Sequence, residues 1–319
     1  MLLAGGPVVV VGLGLALIER VLADGTPAAL RVARRLQPAG AVAAVASLAL
    51  DEGRAAGALA AVWCVVCLCV AAGGVAVAWR LWPAWSAERG TGPAPLVAGA
   101  AAAGCAYLAV GGVWLVIARL GLHPLDLSAD VVRLTAVHFH YAGFALPVLA
   151  ATGLASVDWY ASRVSLVTGS VAAIAGPAVV AAGIATDAAV VRVTGALVMT
   201  VAAWSVAFGT FLLSTSTSAL VAAAPRGTGV GRAAGRWLLV ISSLSPVVPM
   251  LLALQWAVAQ HSGFPSLGTG EMASTHGLLN GIGFVMAGLA GWVLAGPVPA
   301  AAGRPATAPG AAGAGGTGA

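Results

Sequence analysis

Apolar residues run in long unbroken blocks along this chain, with polar residues between the blocks rather than alternating inside them. "MLLAGGPVVVVGLGLALIE" opens the sequence, and blocks such as "AGALAAVWCVVCLCVAAGGVAVAW" recur to near its end. At a rise of about 1.5 Å per residue, a block of about 20 apolar residues crosses a bilayer as a helix. Lipid offers the backbone no hydrogen-bond partner, so only helices and closed barrels cross it, and blocks without period-two alternation point to helices. The pattern predicts an all-α, polytopic transmembrane helical bundle of about nine spans, at residues 2–19, 37–50, 55–79, 95–119, 132–154, 164–184, 188–213, 237–259 and 272–295. The block at 37–50 is short for a full crossing, so an eight-span bundle is the alternative. These blocks form one transmembrane domain over residues 1–295, and the Ala/Gly/Pro-rich tail at 296–319 is expected to be disordered.

Composition agrees and adds an orientation. The chain is 60% hydrophobic and 8% charged, with a mean hydropathy of +0.99, against about 25% charged residues in a soluble domain. The net charge of +5 comes from 15 Arg with no Lys. These Arg residues fall in the connections between spans, so no nucleic-acid partner is expected and topology accounts for the charge. With nine spans, Arg20, Arg31, Arg34, Arg35, Arg80, Arg89, Arg163, Arg226, Arg232, Arg236 and Arg304 share one side, and Arg54, Arg119, Arg133 and Arg192 share the other. Eight spans scramble that division. The positive-inside rule then puts the N-terminus outside and the C-terminus in the cytoplasm. The first block lacks a basic leading segment and reads as a retained span. The two halves share no motif, which weighs against the common transporter designs.

Ionisable groups inside a span are costly and so point to function. All ten carboxylates fall at span ends or in connections, whereas His138, His140 and His276 lie within apolar blocks. The fifth and ninth blocks enter the membrane from the same side. His138 and His140 in "LTAVHFHYAGF", and His276 and Asn280 in "MASTHGLLNGIGF", therefore come to a similar depth, about 10 Å in. Residues i and i+2 of a helix stand about 200° apart, so His138 and His140 cannot both face one small centre. Thr135, His138 and Tyr141 form one stripe, and His140, Gly143, Phe144 and Pro147 another. His276 and Asn280 share a face. One of the two paired histidines is expected to meet His276 and Asn280, and the other to be held by a neighbour. A single buried His is more often a packed residue than a catalyst; three in one leaflet shift the balance. Cys64, Cys67, Cys69 and Cys105 sit in apolar blocks and read as small core residues. The glycines around "GLLNG" read as close-packing positions, and Trp79 and Trp237 as interfacial anchors.

At "GLHPLDLSADVVRLTAVHFHYAGF" and "THGLLNGIGF" the sequence resembles the YndJ-like family of bacterial integral membrane proteins, and the resemblance extends to about residue 295. It implies a multi-pass protein of the bacterial cell membrane and draws attention to His138, His140, Tyr141, His276 and Asn280. It supplies no reaction.

Three functions fit these residues. The first is an intramembrane acid–base enzyme, of isomerase or cyclase type, acting on a lipophilic small molecule. His138, His140 and His276 would move protons, Asn280 would hold a carbonyl or oxyanion, and Tyr141 would act as an acid. Thr135, Phe144, Thr275, Gln255 and Glu271 would line the substrate. The second is a transporter with a His proton relay. The third is a haem or metal protein, with His138 or His140 and His276 as ligands. The first needs no cofactor, and no metal ligand is assigned. The partners expected are the bilayer and a lipophilic small molecule.

Overall fold

The computed structural model describes residues 1–22, 25–86, 94–157, 160–216 and 229–296. Among these residues there are nine long helices and no strand. They are α1 (Leu2–Leu22), α2 (Ala28–Leu48), α3 (Arg54–Ser86), α4 (Ala94–Arg119), α5 (Ala129–Ala155), α6 (Tyr160–Thr186), α7 (Ala189–Thr215), α8 in two parts (Gly229–Leu244 and Val247–Ser262) and α9 (Thr269–Ala295). All but α2 are long and apolar enough to cross a membrane. The chain is a multi-pass, all-helical membrane protein. The tail from 297 lies outside the described residues, as do Asp24, Glu88, Arg89, Asp158, Arg226 and Arg304.

Helix α2 differs from the sequence pattern. It begins at Ala28, nine residues before the apolar block at 37–50, and spans 21 residues, about 31 Å. Arg31, Arg34 and Arg35 occupy its first two turns and disguise it as a connection. Arginine favours the helix, and its apolar stem lies along the bundle while the guanidinium finds polar partners. Arg34 pairs with Glu19 at 2.6 Å, and Arg31 donates to the Thr26 carbonyl at 2.5 Å. Leu30 packs under Gly73 of α3 near one end of α2, and the Ser47 carbonyl accepts from Arg119 at the other, 3.1 Å away. So α2 runs the full depth of the bundle between its neighbours.

Successive helices alternate in direction. One end of the bundle gathers the start of α1, the turns 49–53 and 120–128, and the connections 187–188 and 263–268. Arg119 clamps this end. It is 8% exposed, donates to the carbonyls of Ser47 and Leu50, and approaches Glu52 at 3.8 Å. In return the Gly53 amide donates to the Arg119 carbonyl at 2.8 Å, and Gly53 holds a φ of +152° that favours glycine. Elsewhere glycines let helices touch. A side chain at Gly74 would meet Cys105, and one at Gly112 would meet Cys67, so these two thiols pack where backbones come close. All four cysteines are free. Trp79 and Trp237 are exposed, as befits interfacial anchors.

Helix α5 is the most enclosed: 72% of its most apolar window is buried, against 33–50% in the other spans. It is also irregular. Phe139–Ala145 is wound as a π-helix, as are Gly6–Val10 of α1 and Ala273–Gly277 and Leu279–Met286 of α9. Such wider turns break the α ladder and gather at functional sites. Polar side chains from neighbouring helices bind carbonyls in two of them. Gln37 donates to the Pro7 carbonyl at 2.7 Å, and Ser242 to that of Phe284 at 2.7 Å. Pro7 itself has no N–H to give its turn.

Candidate functional site

Helix α5 sends its two histidines to opposite sides, His138 from the end of its α-helical first part and His140 from the π-turn. His140 faces α3 and α4. It is 3% exposed, and both ring nitrogens are engaged. Nδ1 lies 2.7 Å from the Ala136 carbonyl, so it carries the proton and donates; Nε2 accepts from the indole N–H of Trp63 at 2.9 Å. The two rings lie 18° from parallel with centroids 5.9 Å apart, as an in-plane bond between ring edges requires. A side chain on Gly111 would come within 2.9 Å of His140 Nδ1, and one on Gly6 within 3.1 Å of its Cβ. This ring is walled in, and no nitrogen is left for chemistry.

His138 faces the other way, toward α9, and is exposed at the surface of the fold. Its Nδ1 donates to the Leu134 carbonyl at 2.8 Å. The ring of His276 stands 6.5 Å away, 24° from parallel. His276 donates from Nδ1 to the carbonyl of Pro249 on α8 at 2.7 Å. Both imidazoles therefore hold their proton on Nδ1 and keep a lone pair on Nε2. Asn280 completes the group. Its Nδ2 lies 3.4 Å from Met250 Sδ, and 3.3 and 3.4 Å from the two nitrogens of His276. Near-equal distances to both ring nitrogens put that amide well off the Nε2 lone-pair direction. The Oδ1 of Asn280 is buried without a hydrogen-bond partner. An oxyanion holder needs a donor; the group left over here is an acceptor.

The other candidates lie around this group rather than in it. The Tyr141 hydroxyl donates to the Leu2 carbonyl at 3.0 Å, and its ring borders Gly281, tying α1, α5 and α9 together. Leu2 packs into the groove of Gly277 and Gly281. Thr135 and Thr275 donate to their own i−4 carbonyls, Val131 and Glu271. Glu271 is exposed and accepts from the Gly268 amide at the start of α9. Phe144 is fully buried against Gly14 of α1. Gln255 faces the connection between α8 and α9. Its amide donates to the Pro265 carbonyl at 2.9 Å, and it borders a shallow hollow of about 460 Å³ with Leu251, Leu254, Val258, Phe264 and Pro265. The break at Pro246 and Pro249 makes the azimuth of the second half of α8 unreadable from periodicity. Among the described residues, no group of three His, Cys, Asp or Glu is placed to hold a metal.

Trp63, Gln37 and Met250 are participants that the sequence analysis does not single out. A signal existed for two of them. A Trp N–H or a Gln amide inside an apolar block has to find a partner. Met250 gave none.

The family model described as YndJ-like protein matches residues 1–284. No curated protein matches the chain, and no solved structure does. The match covers most of the sequence, and the chain belongs to the YndJ-like family.

Proposed function

We propose that this YndJ-like membrane protein is an intramembrane acid–base enzyme whose proton-handling pair is His138 and His276 and whose substrate is a lipophilic small molecule. The observation that carries this reading is the pair itself: two imidazoles from distant helices, 6.5 Å apart, each anchored through Nδ1 to a backbone carbonyl. That anchor fixes which nitrogen works. Nε2 takes the substrate proton, and the carbonyl on Nδ1–H steadies the imidazolium as it forms. The exposure of His138 lets an apolar substrate approach from the side of the bundle. The reaction class is proton transfer with isomerisation, cyclisation or hydration. His140 and Tyr141 serve as positioning residues that hold the α5 turn against α3, α4 and α1. The excess of Arg at the opposite end of the bundle supports an orientation of the pair toward the extracytoplasmic half of a bacterial cell membrane.

The test is a comparison of extracted metabolites from a deletion strain carrying either the parent gene or the His138→Ala or His276→Ala variant. The proposal predicts that neither variant restores the parental profile while both insert in the membrane; full restoration by both ends it. Turnover in membranes opened to both sides separates an enzyme from a transporter, which needs a sealed vesicle. A Soret band or a stoichiometric metal in the purified protein would move the pair into the haem or metal class instead.

A further inference from the structure

We infer that the ligand of the His138–His276 pair presents a hydrogen-bond donor, a hydroxyl or an ammonium, on an apolar body, and that anionic ligands are rejected. This rests on the proton-transfer reading only for the location of the site. The lone pairs at the site decide which ligand fits. His138 and His276 each spend their one N–H on a carbonyl, of Leu134 and of Pro249. Each then keeps its Nε2 as an acceptor; that of His138 has no partner among the described residues, and that of His276 has only the Asn280 amide, 3.4 Å away and off the lone-pair direction. Asn280, next to His276, adds a third acceptor, the buried Oδ1 that has no hydrogen-bond partner among the described residues. Its amide N–H groups are turned to Met250 Sδ and the edge of His276. The hydroxyls of Thr135 and Thr275 donate to their own helices, and that of Tyr141 donates to Leu2. The site therefore has acceptors to offer and no donor to spare.

Charge points the same way. The arginines at this end of the bundle are held elsewhere: Arg119 at the α2–α3 turn, Arg133 on the Ala129 carbonyl and beside Asp130, and Arg192 on Asp187. Arg54 opens α3, the helix that reaches α5 on the His140 side. A carboxylate or phosphate beside these acceptors would find no side-chain donor to spare and no arginine to pair with, which is costly inside a membrane. A hydroxyl or an ammonium supplies what the acceptors lack, and a site built to bond such a group rejects the analogue lacking it.

The test uses the full chain in lipid nanodiscs with 15N-labelled histidine, titrated with decanol, decylammonium, decyl methyl ether and decanoate. Decanol, decylammonium or both should shift the Nε2 signals of His138 and His276 and leave His140 unchanged. The ether and decanoate should need about tenfold more ligand for the same shift, the value of one lost hydrogen bond to a buried group. His138→Phe, at an exposed position that tolerates a ring, should bring decanol to the level of the ether. The inference is overturned if the ether or decanoate matches decanol, or if no probe moves either signal. If decanol behaves as stated while His138→Phe and His276→Phe both restore the metabolite profile in full, the proton-transfer reading fails and this inference stands. If the profile depends on both histidines but decanoate is preferred, this inference alone fails.

Discussion

His140 and His138 sit two residues apart on α5 and lead opposite lives. His140 is sealed among Trp63, Gly6 and Gly111, with one nitrogen donating and the other accepting. His138 is open at the fold surface, with one nitrogen tied and the other free. The residue type is the same and the depth is nearly the same; what differs is the face of the helix, and with it the count of hydrogen bonds satisfied. A buried His with both nitrogens engaged is a piece of structure. One that keeps a lone pair beside a second such ring has something left to do. Polar residues in membrane spans are better sorted by what remains unsatisfied than by how deep they lie.

Breaking each face should give a different signature. The largest effect is expected on the open side. His138→Ala and His276→Ala should each lower turnover by about 10²–10⁴-fold, the worth of a positioned acid or base, and His138→Ala should leave the unfolding midpoint almost unchanged. Turnover and thermal unfolding of the same preparations check both halves of that statement. On the closed side, His140→Ala should destabilise by about 2–4 kcal/mol, since it opens a cavity and strands the Trp63 N–H, and this reads out as a lowered midpoint. Trp63→Phe removes the same bond with less change of volume and should cost about 1–3 kcal/mol. Gly111→Ala drives a methyl to within 2.9 Å of His140 Nδ1 and should cost about 1–3 kcal/mol by overpacking. The smallest effect is that of Tyr141→Phe, about 0.5–1.5 kcal/mol for one hydrogen bond to the Leu2 carbonyl, seen as a small fall in midpoint with turnover mostly kept.

Much of this was legible in the order of residues, for identifiable reasons. Eight spans show because length and apolarity suffice to define them. The opposition of His138 and His140 shows because helix geometry separates i from i+2 whether the turn is α or π. Helix α2 was cut short because the Arg residues that stabilise its first turns look like a connection when only hydropathy is read. The direction in which Gln255 faces was not legible, because two prolines break the phase of α8 and a helical face cannot be counted across a break. The π-turns were invisible, since nothing in "FHYAGFA" or "LNGIGFVM" marks a wider helix. The unpartnered Oδ1 of Asn280 and the partnership of Met250 depend on side-chain directions that only the packed bundle sets.

The central claim is that His138 and His276 keep a bare Nε2 while His140 does not, and 15N spectra of the ligand-free, histidine-labelled protein in nanodiscs read it directly. The account predicts two transmembrane histidines with the proton on Nδ1 and an unbonded Nε2, a third whose Nε2 is hydrogen-bonded, and a Trp63→Phe variant that alters only the third. Spectra in which His138 and His276 are bonded at both nitrogens, or in which His140 carries the bare one, would contradict it.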